Sequence, residues 1–161
     1  MFTNILLAVD GSPPSLHAAR HGIELAKALS AKVTALTVTT PWATYFSREL
    51  AVLAPGVVIP ETEYDNKRDT IAAGILQDVM DEADAAGVRV AVLHRCSRYP
   101  YQAILETAKR EGCDLIIMGS RRERGFTGSL VGSETLKVIT HTNIPVLVWR
   151  ETTRSAALLA C

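Results

Sequence analysis

The chain has no surplus charge of either sign: 17 lysines and arginines stand against 17 aspartates and glutamates. That balance excludes a bulk field strong enough to gather nucleic acid or to hold the chain on an anionic membrane, so any anion site has to be local. Cysteine is scarce as well. Cys96, Cys113 and Cys161 are odd in number and nowhere spaced C-x-x-C, which argues against a disulfide framework or a zinc site and suits a reducing compartment. Cys96 and Cys113 are expected to be small core residues. No apolar run approaches the length of a membrane span, and the opening run over residues 1–9 is too short for a signal-peptide core with its flanks. The expectation is a cytoplasmic protein that engages neither membrane nor nucleic acid. Catalytic signatures are missing too. There is no Walker lysine, no G-x-G-x-x-G after the first apolar run and no G-x-S-x-G elbow, so nothing designates a nucleophile with its base.

What the chain does have is alternation. Its 161 residues suffice for one domain with a full core, read as residues 1–150, with 151–161 as a tail. Residues 2–9 (FTNILLAV) form a short apolar run that ends in Asp10-Gly11-Ser12, a turn signal, with Pro13-Pro14 where a first helical turn tolerates proline. Leu16, Ala19, Ile23, Ala26 and Leu29 then recur at helical spacing, opposite His17, His21, Glu24 and Lys27. His17 and His21 have the spacing of a metal pair, but no third ligand stands near them, and a solvated face is the better reading.

A second strand follows over 32–39 (KVTALTVT). The segment over 41–63 is long for a connection yet rich in apolar residues, so it is expected to pack over the sheet, with a lid or a subunit contact as alternatives. A long helix over 65–86 should turn Ile71, Ile75, Leu76, Val79, Met80 and Ala83 inward and stop at Gly87. Then come a strand over 88–93 and a helix over 101–111 whose Ile104, Leu105 and Ala108 are buried. Next are a nearly continuous apolar strand over 114–118, a helix with Leu136 and Ile139 inward, and a last strand over 144–149 (IPVLVW). Five such units predict a doubly wound α/β fold, a five-stranded parallel sheet with helices on both faces, and ligands on such sheets bind beyond the carboxyl ends of the strands.

One of those ends carries the stretch GSRRERGFTGSLVGS, residues 119–133, in the order strand, glycine-rich loop, helix. Backbone amides at the start of that helix would be open and the helix dipole favours negative charge, so a phosphate is a candidate ligand. Arg121, Arg122 and Arg124 add cations able to pair with phosphate oxygens. The alternative is a solvated connection, since short glycine patterns often arise without function.

Three blocks, NILLAVDGSPPSLHAARHGIELAKAL, DLIIMGS and GSETLKVITHTNIPVLVW, together resemble the universal stress protein family along nearly the whole chain. The resemblance implies the sheet order 3-2-1-4-5 and, in the nucleotide-binding branch, a G-x-x-G-x9-G-[ST] motif after the fourth strand. Laid on this chain, the motif begins at Gly119 and ends at Gly132-Ser133, and its middle glycine falls on Arg122. A side chain there risks a clash with a phosphate near the backbone, whereas its guanidinium would add charge-assisted hydrogen bonds.

The resemblance further implies ATP with Mg as ligand. Asp10 would accept from ribose or adenine, Val38 and Met118 would line the base pocket, and Gly119, Gly132 and Ser133 would hold phosphates, helped by Arg121 and Arg122. Each has a plainer role open to it: turn residue, core residue or loop glycine. The resemblance also implies a homodimer through the strand from Ile144 to Trp149, whose Val146, Val148 and Trp149 are hard to leave exposed at a sheet edge. A nucleotide-free dimeric interaction module and a slow ATPase are the alternatives to an ATP-responsive regulator.

Overall fold

A computed structural model describes residues 1–42, 60–120 and 132–150. Most of the segment expected to pack over the sheet, the loop over 121–131 and the tail over 151–161 lie outside the described residues, and so does Cys161. The described elements alternate without exception. They are β1 (Asn4–Ala8), α1 (Pro13–Leu29), β2 (Lys32–Thr39), α2 (Glu61–Ala86), β3 (Val90–Cys96), α3 (Pro100–Arg110), β4 (Leu115–Ser120), α4 (Ser133–Thr140) and β5 (Val146–Arg150). All neighbouring strands are parallel, in the order β3-β2-β1-β4-β5, so the expected doubly wound fold is the observed one.

Alternation along the strands divides the core in two. On one face Ile5 and Leu7 of β1, Val33 and Ala35 of β2 and Leu115 and Ile117 of β4 pack against Ala19, Ile23 and Ala26 of α1 and Leu76, Val79 and Ala83 of α2. On the other, Leu6, Leu36, Ile116 and Met118 meet Ile104, Leu105 and Ala108 of α3 and Val138 of α4. Every residue of β1 from Ile5 to Leu7 is wholly buried, as both faces of a central parallel strand require. Across the first face, Arg20 of α1 grips Glu82 of α2 through two hydrogen bonds of 2.8 and 3.0 Å.

The structure corrects several expectations of detail. Ile71 is exposed and Ala72 takes its place against the sheet; Leu136 and Ile139 point outward, and Thr135 and Val138 are the buried residues of α4. Cys113 is a core residue as expected, with burial and then the charges of Glu111 and Asp114 pushing its thiol up to about 11. Cys96, however, is exposed. β3 begins two residues later than expected and runs on through His94, Arg95 and Cys96, because pairing with β2 continues as far as Thr39 and Cys96. His17 and His21 lie on the exposed face of α1. His21 stacks on Trp149, with ring centroids 4.1 Å apart, and no metal-ligand cluster occurs among the described residues.

The start of the sheet is fixed by one carboxylate. Asp114, just before β4, accepts from the Thr3 amide and hydroxyl, both at 2.8 Å, and from the Asn4 amide at 2.9 Å. Partial desolvation acts to raise its pKa, but the Asn4 and Thr3 amides and the Thr3 hydroxyl together outweigh that and leave it below the ordinary carboxylate value. A depressed folded-state pKa contributes stability above the unfolded value and loses it as pH falls through the folded one. Asp114→Ala is therefore expected to cost about 1–2 kcal/mol at neutral pH, with the gap to wild type closing below about pH 4. Urea denaturation at pH 7 and pH 3 measures both.

Candidate functional site

The carboxyl ends of β1 and β4 open onto a cleft of about 590 Å³, within the size range of small-molecule sites. Its apolar wall is made by Ala8, Leu36, Val38, Ile104 and Met118; its polar rim includes Asp10, Ser15, Gly119, Gly132, Ser133, Glu134 and Thr135. Six of the eight residues singled out in the sequence, Asp10, Val38, Met118, Gly119, Gly132 and Ser133, thus line one hollow. The other two, Arg121 and Arg122, lie outside the described residues, as does Arg124. A shallower groove between α1 and α2 is spanned by the Arg20–Glu82 pair and sits away from the strand ends.

Asp10 stands where β1 gives way to α1. Its Oδ1 accepts from the Ser12 amide at 3.0 Å and from the Ser12 hydroxyl, a turn closed by the side chain on the backbone two residues on. The next residue, Gly11, has φ +78°, a conformation that costs glycine little. Ser15 completes the corner: its hydroxyl accepts from the Asp10 amide at 3.3 Å and donates to the Ser12 carbonyl at 2.9 Å. The turn reading of Asp10 is therefore correct as far as it goes, and the carboxylate also lies on the cleft rim.

Gly119 is needed for a reason separate from any ligand. A Cβ built there would overlap the Pro14 carbonyl and the Ser15 amide nitrogen, so the end of β4 and the first turn of α1 touch backbone to backbone. Ser120 follows, only 5% exposed, and its hydroxyl accepts from the Gly132 amide at 2.9 Å. That bond draws together the two ends of the 121–131 loop. It also engages the Gly132 N–H, one of the donors the motif would offer to phosphate.

The first turn of α4 begins at Ser133, and no side chain among the described residues caps it. The Leu136 amide bonds to the Gly132 carbonyl at 2.9 Å, and the amides of Ser133, Glu134 and Thr135 have no intrahelical partner and no side-chain cap among the described residues. Glu134 reaches across to α3. Its Oε2 accepts from the Tyr101 amide at 3.0 Å, and its Oε1 takes a 2.7 Å bond from Lys137. That bond, with the attraction behind it, raises the Lys137 pKa above the ordinary lysine value.

Sequence reasoning missed Ser15, Ser120 and Glu134. Ser120 lay inside the quoted DLIIMGS block, but only the fold shows that it bonds across the loop. Thr39, His94 and Asp69 form a further polar corner, with Thr39 Oγ1 2.9 Å from His94 Nε2 and His94 Nδ1 3.6 Å from Asp69. It faces α2 rather than the cleft, and Thr39 is buried, so it reads as a joint between β2, β3 and α2.

The strand order and the cleft at its reversal define a doubly wound α/β protein with a ligand-sized hollow at the switch point. A model of the Universal stress protein family matches residues 1–150. Universal stress protein YxiE of Bacillus subtilis is 31% identical over 157 residues, which covers 93% of this chain and all of that protein. The chain belongs to the universal stress protein family. Among solved structures, MJ0577 of Methanocaldococcus jannaschii superposes with a TM-score of 0.74 at 27% identity, over 94% of this chain and 98% of that one. A universal stress protein solved in complex with cAMP superposes with a TM-score of 0.66 at 26% identity, over 91% and 96%.

The contacts of Gly119 and Ser120 generate a paired prediction. Gly119→Ala forces backbone apart and is expected to cost about 2–3 kcal/mol, whereas Ser120→Ala loses one hydrogen bond and should cost about 1 kcal/mol. Equilibrium urea unfolding of the two variants checks the order.

Proposed function

We propose that this protein is a cytoplasmic stress-response regulator that binds an adenine nucleotide in the cleft between β1 and β4. The observation that carries this reading is the convergence of Asp10, Val38, Met118, Gly119, Gly132 and Ser133 on one hollow. The apolar wall suits the flat face of a base, and a carboxylate at Asp10 suits ribose hydroxyls or the adenine edge, which donate hydrogen bonds. Orphan amides at the α4 N-terminus suit a phosphate. The similar protein solved with cAMP supports the ligand class. ATP is the form we favour, with Mg held mostly by the phosphates, and Arg121 and Arg122 as added phosphate contacts. No helix among the described residues is long and apolar enough to cross a membrane.

A second reading keeps the scaffold and drops the ligand. The Ser120 hydroxyl engages the Gly132 amide and the Glu134 carboxylate stands at the cleft, so the chain's own groups meet some of the needs a phosphate would meet. A nucleotide-free interaction module would look the same in this respect. Native mass spectrometry of gently purified protein separates the two readings, since the first expects an adenine nucleotide to be carried along. Calorimetry with Mg-ATP gives the second arm: Asp10→Ala should weaken binding by about tenfold or more, and no heat at millimolar ATP would overturn the first reading. Phosphate release that Asp10→Ala abolishes would instead promote the slow ATPase.

Dimerisation through β5 is an independent part of the proposal. β5 ends the sheet, Val146, Val148 and Trp149 are only half-buried, and Leu147 is 39% exposed. An apolar strand with an open edge invites a second copy across a two-fold axis. Sedimentation velocity should show a dimer at micromolar concentration and a monomer for Leu147→Asp; a monomeric wild type refutes the pairing.

A further inference from the structure

Among the described lining residues Glu134 is the one carboxylate besides Asp10, and none is a lysine or arginine. It stands at the start of α4, where orphan amides and the dipole favour an anion. It also reaches the start of α3, where Tyr101 has no cap from its own helix and its amide bonds to Glu134 Oε2 at 3.0 Å. The side chain is therefore a part-buried anion, 37% exposed, shared by two helix starts that border one hollow. Among the described residues Lys137 is its cationic partner, through a 2.7 Å bond to the other oxygen, Oε1, at a half-exposed ion pair. The α4 terminus keeps its amides but already holds one negative charge close by.

We propose that Glu134 is a charge filter, a specificity-determining residue that penalises ligands of this cleft according to the number of phosphate charges they carry. The inference rests on the adenine-nucleotide reading of the cleft. Each added phosphate brings charge toward a carboxylate in a partly enclosed site, where repulsion is stronger than in water. A neutral nucleoside escapes the penalty, a monophosphate meets part of it, and a triphosphate meets most of it unless a divalent cation or arginines offset the charge. Lys137 sets how much of the Glu134 charge the ligand feels.

Calorimetric titration of the full chain with adenosine, AMP and Mg-ATP tests the filter. Glu134→Gln keeps an acceptor for the Tyr101 amide while removing the charge and the second oxygen that accepts from Lys137, so the affinity for ATP relative to adenosine should rise about tenfold. Lys137→Met unmasks the carboxylate and should lower the same ratio by about threefold, giving a second variant of opposite sign should the first not fold. Glu24→Gln makes the same charge change on the exposed face of α1, where Glu24 faces His21 at 3.2 Å, and should leave the ratio unchanged. A ratio that stays within about twofold of wild type in Glu134→Gln, or that moves as far in Glu24→Gln, overturns the filter while the nucleotide reading stands. A wild type that binds none of the three ligands overturns both.

Discussion

The cleft exists because the crossovers part company at the middle of the sheet. From β1 the chain passes through α1 and α2 on one face to reach β2 and β3; from β3 it returns through α3 and α4 on the other face to reach β4 and β5. Right-handed connections leave no other arrangement for parallel strands in this order. The loops beyond β1 and β4 therefore diverge, and the space between them remains open. Asp114 holds the opposite end of these two strands in register through its three hydrogen bonds to Thr3 and Asn4. One end of the β1–β4 pair is tied so that the other can be free.

At the free end, backbone geometry and charge are settled by different residues. Gly119 lets the end of β4 rest against the first turn of α1, so the β4 and α1 sides of the cleft meet at one backbone contact. Ser120 and Glu134 then determine which donors remain available, the first by engaging the Gly132 amide and the second by spanning to Tyr101. A motif glycine can thus be needed for packing alone while its neighbours decide the chemistry.

The parallel fold was legible because its signals are redundant: five apolar strands, helical stripes between them and Gly87 and Gly112 at positive φ where helices were expected to stop. The errors in helix burial come from phase. In the eight residues of α4, Leu136 and Ile139 have the same three-residue spacing as Thr135 and Val138, so periodicity cannot tell the two stripes apart, and hydropathy chose the outward one. The same ambiguity set Ile71 against Ala72 on α2. Of the residues lining the cleft, strand, glycine and helix order pointed to the Gly119 end of β4, and Asp10, Val38, Met118 and Ser133 came from the family resemblance. Glu134 came from neither, because an acidic residue in a first turn is already explained by the dipole, and its reach to α3 depends on packing that spacing does not encode.

The hydrogen bond between Ser120 and the Gly132 amide fastens the chain on either side of an eleven-residue insert. Closing a stretch between two fixed ends costs only logarithmically more as it lengthens, and this bond sets those two ends side by side. An engineer who joins a different stretch at the same two residues would begin and end it at positions that the fold already holds together.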